Sequence, residues 1–164
     1  MRDASARGRA VRTLPGFLAC IDEASTNPLL SLVVPDGADP DDWAAALAGL
    51  TAYFAAARRC APFEAFAELR PGLLAAADAA GWTRAVTAPV LVLEPEALTA
   101  PPPPTAGTYR PLDPAAAKRL HALLAEAFAD GLPVAWLSAA EGALQLYEGL
   151  GFVRVGTQVN VEAP

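Results

Sequence analysis

Apolar residues recur at steps of four, three and four through Trp43, Leu47, Leu50 and Phe54. That spacing holds them on one helical face and predicts a helix over about 42–59. Leu29–Val34 is an unbroken apolar run stopped by Pro35, the pattern of a buried strand. Phe63–Leu69 also reads as a strand. Pro71 suits the first position of a helix, and Gly81 suits its end. Trp82–Leu93 reads as two strands or one bent strand. Upstream, residues 9–24 read as helical with a break at Pro15.

The C-terminal part repeats this grammar. Tyr109–Leu112 reads as a short strand. Asp113 then caps a helix that opens at Pro114 and stops at Gly131. Leu120, Leu123, Leu124, Ala127 and Phe128 give that helix its apolar face. Val134–Leu137 is a strand. Ser138 with Glu141 three residues on fits a capping box, and the helix it opens runs to about Gly149. Val153–Val161 returns as a strand, with a turn near Gly156. Between the two parts, residues 95–107 contain four consecutive prolines, which favour extended polyproline. This segment reads as a linker between a half-domain at 1–94 and another at 108–164.

The two halves share a pattern at an offset of 70 residues. Gly72, Leu74, Gly81 and Arg84 match Gly142, Leu144, Gly151 and Arg154; Asp78 faces Glu148, and Trp82 faces Phe152. Phe66 pairs in the same way with Trp136. Both Gly81 and Gly151 stand where a helix must turn into a strand, a place with a backbone reason for glycine. One strand–helix–Gly-aromatic–strand unit is therefore expected twice.

Composition narrows the function. The 164 residues are 54% apolar and carry a net charge of −6, and only the start, with Arg2, Arg7, Arg9 and Arg12, is a basic stretch. That balance argues against nucleic-acid binding. No apolar run approaches the roughly 18 residues of a membrane span, and Pro15, Gly16, Asp22 and Glu23 break the one signal-like stretch. A cytoplasmic protein is expected, and the wealth of Ala, Pro and Arg fits a GC-rich bacterial genome. Cys20 and Cys60 have no His or Cys neighbours at metal spacing, so reduced structural thiols and no metal are expected. Glu64, Glu68 and Glu141 are candidate general bases, with nothing in the spacing to choose among them. The single histidine, His121, lies on a helix and reads as structural.

Ala143, Leu146, Tyr147, Gly151, Phe152 and Gly156 fall in order on a strand–helix–strand. That segment resembles the closing signature of the GNAT (GCN5-related N-acetyltransferase) family, Ala-x-x-Leu-Tyr-x-x-x-Gly-Phe-x-x-x-Gly. The resemblance implies a mixed α/β, GNAT-like sheet flanked by helices. It also implies transfer of an acetyl group from acetyl-CoA to an amine of a small molecule or peptide. Acetyl-CoA would lie between two splayed strands, with Val134–Ser138 as one wall. Leu137, Ser138, Ala140 and Ala143 would line the cofactor, and Tyr147 would protonate the departing thiolate, a task within reach of a phenol.

Two departures qualify the resemblance. The family's Arg/Gln-x-x-Gly-x-Gly/Ala loop, whose N–H groups hold the CoA pyrophosphate, is absent. Residues 35–42, between an expected strand and helix, carry Asp36, Asp39, Asp41 and Asp42, which suits a helix cap and repels phosphate. Only Asp130–Pro133 separates the C-terminal helix from Val134, so this half lacks the central strands. Impaired catalysis follows, or a non-catalytic binding or oligomerisation module. An exposed strand edge would favour a homodimer that completes the sheet.

Overall fold

The computed structural model describes residues 9–22, 31–100 and 114–164. The expected strand at 109–112, the Asp113 cap and the proline run at 101–104 lie outside the described residues. The chain forms two compact units, Met1–Thr87 with Gln158–Pro164, and Ala88–Thr157. The division falls within two long strands.

The first unit opens with β1 (Arg9–Leu14) and β2 (Phe17–Asp22), an antiparallel hairpin in which Leu14 pairs with Phe17. A helix had been expected here. Pro15-Gly16 makes a tight turn instead, with Gly16 at φ 75°, and Phe17, Ala19 and Ile21 then bury their side chains at a period of two. β3 (Leu32–Pro35) pairs antiparallel with β2 and completes a three-stranded sheet.

α1 (Trp43–Ala56) follows, burying Ala46, Leu47, Leu50 and Phe54 along the expected face. Its end is closed by Arg58 at φ 56° and by the Arg59 N–H, which donates to the Phe54 carbonyl at 3.0 Å. β4 (Pro62–Phe66) and α2 (Pro71–Ala79) come next. The core of this unit is an aromatic chain. Phe17 lies 5.6 Å from Trp43 and 5.9 Å from Phe63, and Phe63 lies 5.4 Å from Trp82, ring centroid to ring centroid.

β5 (Thr83–Leu93) is one continuous strand, as is β7 (Val153–Glu162), which passes Gly156 without a turn. The second unit also holds α3 (Pro114–Ala129), β6 (Ala135–Ser138) and α4 (Leu144–Gly149). Its core gathers Leu91, Leu93, Leu124, Ala139, Leu150 and Phe152, while Leu123, expected inside, is 63% exposed. Residues 95–99 are packed rather than free. Pro95–Ala97 form a 3-10 turn, and Leu98 joins this core. Thr99 donates its N–H to the Leu150 carbonyl at 3.1 Å and its hydroxyl to the Gly149 carbonyl at 2.9 Å.

The repeat holds at atomic detail. Trp82 N–H donates to the Ala77 carbonyl and Gly81 N–H to Asp78; seventy residues later Phe152 donates to Tyr147 and Gly151 to Glu148, all four at 3.0–3.1 Å. Gly81 and Gly151 both take positive φ, 79° and 99°, in the glycine-capped helix ending the spacing predicted. The second sheet has the order β4-β7-β5-β6. Each repeat therefore pairs its first strand with the other's second: β4 with β7, and β6 with β5, both antiparallel.

Candidate functional site

Two strands of the first unit run beside each other without sharing a ladder. β3 ends the first sheet and β4 ends the second, yet they lie alongside one another, joined through α1. β3, α1 and β4 thus form a strand–helix–strand of the first unit whose two neighbouring strands share no ladder.

β4 buries Phe63 and Ala65 toward the helices and turns Glu64 to the opposite face. There Glu64 is half-buried and accepts a hydrogen bond at 3.2 Å from Gln158 Nε2 of β7. Loss of hydration pushes its carboxyl above the usual carboxylate range. Glu68, in the turn after β4, and Glu141 are exposed. Of the three carboxylates that spacing left equal, burial singles out Glu64. Gln158 and Asn160 escaped the sequence reading. The available signal was two amides alternating with buried Val159 and Val161, a polar face opposite an apolar one.

The loop between β3 and α1 is closed on itself. Asp42 caps the helix, its carboxylate accepting from Ala44 N–H at 2.8 Å and Ala45 N–H at 3.1 Å. Arg70 reaches across to the Asp39 carboxylate and donates to the Gly37 carbonyl at 2.9 Å. Asp36 N–H donates to the Gly16 carbonyl at 3.0 Å. The donors that would meet a pyrophosphate at the start of α1 are thus taken by the chain's own carboxylate. The residues at this end do not fit that group.

The residues carrying the family signature lie in the second unit. Leu137 and Ser138 are in β6, which pairs with β5. Ser138 does not cap a helix. The buried Ala139 donates to the Pro89 carbonyl at 3.1 Å and keeps the chain extended, so a 3-10 turn at Glu141–Ala143 begins only after Ala140 and α4 follows it. Ser138 and Ala140 are exposed, and Leu137 and Ala143 are half-buried. Tyr147 is half-buried on α4, edge-on to Phe152 at 5.6 Å, and its hydroxyl has no hydrogen-bond partner among the described residues. At the equivalent place in the first repeat stands Ala77, buried.

His121 is half-buried on α3, Cys20 is buried and Cys60 exposed, both as free thiols. Among the described residues no helix is long and apolar enough to cross a membrane.

A mixed α/β fold in which two neighbouring strands share no ladder, one of them carrying a half-buried carboxylate, defines the class: a GNAT-like fold. No family model and no curated protein matches the chain. Among solved structures the chain is similar to a GCN5-related N-acetyltransferase from Kribbella flavida. The match has 21% identity and a TM-score of 0.71, covering 98% of this chain and 91% of that one. The fold is therefore that of the GCN5-related N-acetyltransferases.

Proposed function

We propose that this chain is an N-acetyltransferase in which Glu64 takes the proton from the acceptor amine, that of a small molecule or peptide. The observation that carries the reading is Glu64 itself, half-buried on β4 beside a strand to which β4 is not bonded, with its proton affinity raised by burial. A carboxylate becomes a better base for an amine as its pKa approaches the working pH. Acetyl-CoA would supply the activated acetyl group. Tyr147 is proposed, on the family signature, as the donor of a proton to the departing thiol.

The test is release of free thiol from acetyl-CoA across a panel of primary amines. Glu64→Gln is expected to lower turnover roughly 10²-fold or more. In the wild-type protein turnover should climb as pH rises through the raised Glu64 pKa; the variant should lose that climb. Stability should run the other way. A carboxyl whose folded pKa is raised contributes stability below its unfolded value and loses it as pH rises through the folded one. Wild-type turnover in Glu64→Gln would remove Glu64 from the chemistry.

One observation favours a second reading, a non-catalytic GNAT-fold module: Asp42 fills the N–H groups at the start of α1, and Asp39 holds Arg70. Calorimetry with acetyl-CoA separates the two. Micromolar binding supports the transferase, and no heat at millimolar coenzyme supports the module.

A further inference from the structure

The carboxylate of Glu64 is held from the neighbouring strand. In the β4–β7 ladder Glu64 stands opposite Asn160, and Phe66 opposite Gln158. Residues two apart on a strand share a face, so Glu64, Gln158 and Asn160 meet on one side while Phe63, Ala65, Val159 and Val161 fill the other. Gln158 Nε2 lies 3.2 Å from Glu64 Oε2 and 3.2 Å from Asn160 Oδ1. A side-chain amide nitrogen carries two hydrogens, so both have acceptors. The contact with Asn160 fixes which end of the Gln158 amide faces the carboxylate. Glu64 Oε1 accepts no hydrogen bond from the described residues.

We propose that Gln158 is a positioning residue: anchored by Asn160, it holds Glu64 by Oε2 and leaves Oε1 directed at the acceptor amine. The inference rests on Glu64 being the base. Without the bond the carboxylate would sample several rotamers, and the hydrogen bond also favours its charged form. The ionisable surroundings are sparse. On β7, Glu162 shares the face, opposite Pro62, and so by parity does Arg154, which lies beyond the stretch paired with β4; β3 carries no ionisable side chain; Arg84 of β5 is paired with Asp78. The helices α1 and α2 belong to the core against which Phe63 and Ala65 pack. Gln158 is therefore the near group able to lower the Glu64 pKa against the effect of burial.

The experiment is an NMR pH titration of the full chain with carbon-labelled glutamate, the Glu64 signal identified by its loss in Glu64→Gln. Gln158→Leu should raise the Glu64 midpoint by roughly one unit, because a donor to the charged form is gone. Gln158→Lys should lower it, because the new donor is charged. Opposite shifts support the positioning role; an unmoved midpoint, or both variants shifting the same way, overturns it. If Gln158→Leu fails to fold, Asn160→Ala serves, with a smaller upward shift expected and no shift overturning the proposal. The titration needs no substrate, so an inactive wild-type protein would sink the base assignment while the hold exerted by Gln158 is still measured.

Discussion

The repeat built from β4, α2 and β5 and the one built from β6, α4 and β7 finish their helices with the same hydrogen bonds, residue for residue at an offset of 70. Their surroundings differ. Around Gly81 there is open space, whereas a Cβ on Gly151 would collide with the Ala97 carbonyl, because residues 95–99 dock there. The first repeat has Ala77 where the second has Tyr147, and it has β4 beside β3, a neighbour it does not bond. The half-buried carboxylate belongs to one repeat and the family's tyrosine to the other. A local backbone motif is kept by its own hydrogen bonds wherever the chain turns from helix to strand. The chemistry around it is set by what packs against it.

The largest expected contrast lies in the two glycines. Gly81→Ala should cost roughly 1–2 kcal/mol, the strain of a Cβ at positive φ. Gly151→Ala carries the same strain and must also push Ala97 aside, so about 3 kcal/mol or more is expected. Urea midpoints measure the difference, with Trp136 reporting on the second unit and Trp43 and Trp82 on the first. Equal losses would mean that segment 95–99 is not held against Gly151, and the comparison would break at its strongest point.

A smaller contrast concerns Tyr147. Its ring packs on Phe152 while its hydroxyl is free among the described residues. Tyr147→Phe should therefore leave the urea midpoint in place and lower acetyl transfer about tenfold, or about 1.4 kcal/mol in barrier. The loss falls below the usual range for a general acid because a thiolate departs readily even without a proton. Turnover unchanged in the variant would reduce Tyr147 to a packing residue like Ala77, and the two repeats would then match in role as well as in backbone.

What the sequence disclosed follows the range of the forces involved. The face of α1 was legible because Trp43, Leu47, Leu50 and Phe54 carry their period locally, and the glycine-capped ends because Gly81 and Gly151 answer to their own φ. The hairpin of β1 and β2 was misread as a helix: the apolar density of 14–21 outweighed a Pro-Gly turn that decided the matter. The exchange that pairs β4 with β7 and β6 with β5 joins residues far apart in the chain, and no local pattern encodes it. Glu64 could be named but not preferred over Glu68 or Glu141, since burial and the donor on Gln158 arise only once β7 is in place. The signature that suggested the fold also drew attention to the repeat that carries the tyrosine and away from the repeat that carries Glu64.

The smallest expected difference is electrostatic. Arg84 donates to Asp78 through two nitrogens, and that hydrogen bond, with the carboxylate's charge behind it, raises the guanidinium's proton affinity further. The equivalent residues Glu148 and Arg154 form no such pair among the described residues. Both partners of the first pair are close to half exposed, so solvent screens the attraction and its net worth is about 0–1 kcal/mol. Asp78→Ala should lower stability by about 0.5 kcal/mol at low ionic strength, and about 1 M salt should remove that cost. Glu148→Ala should change nothing at either salt concentration. A salt-sensitive loss of the same size in both variants would mean that the second repeat has an ion pair of its own, and the repeats would be closer in their charges than in their packing.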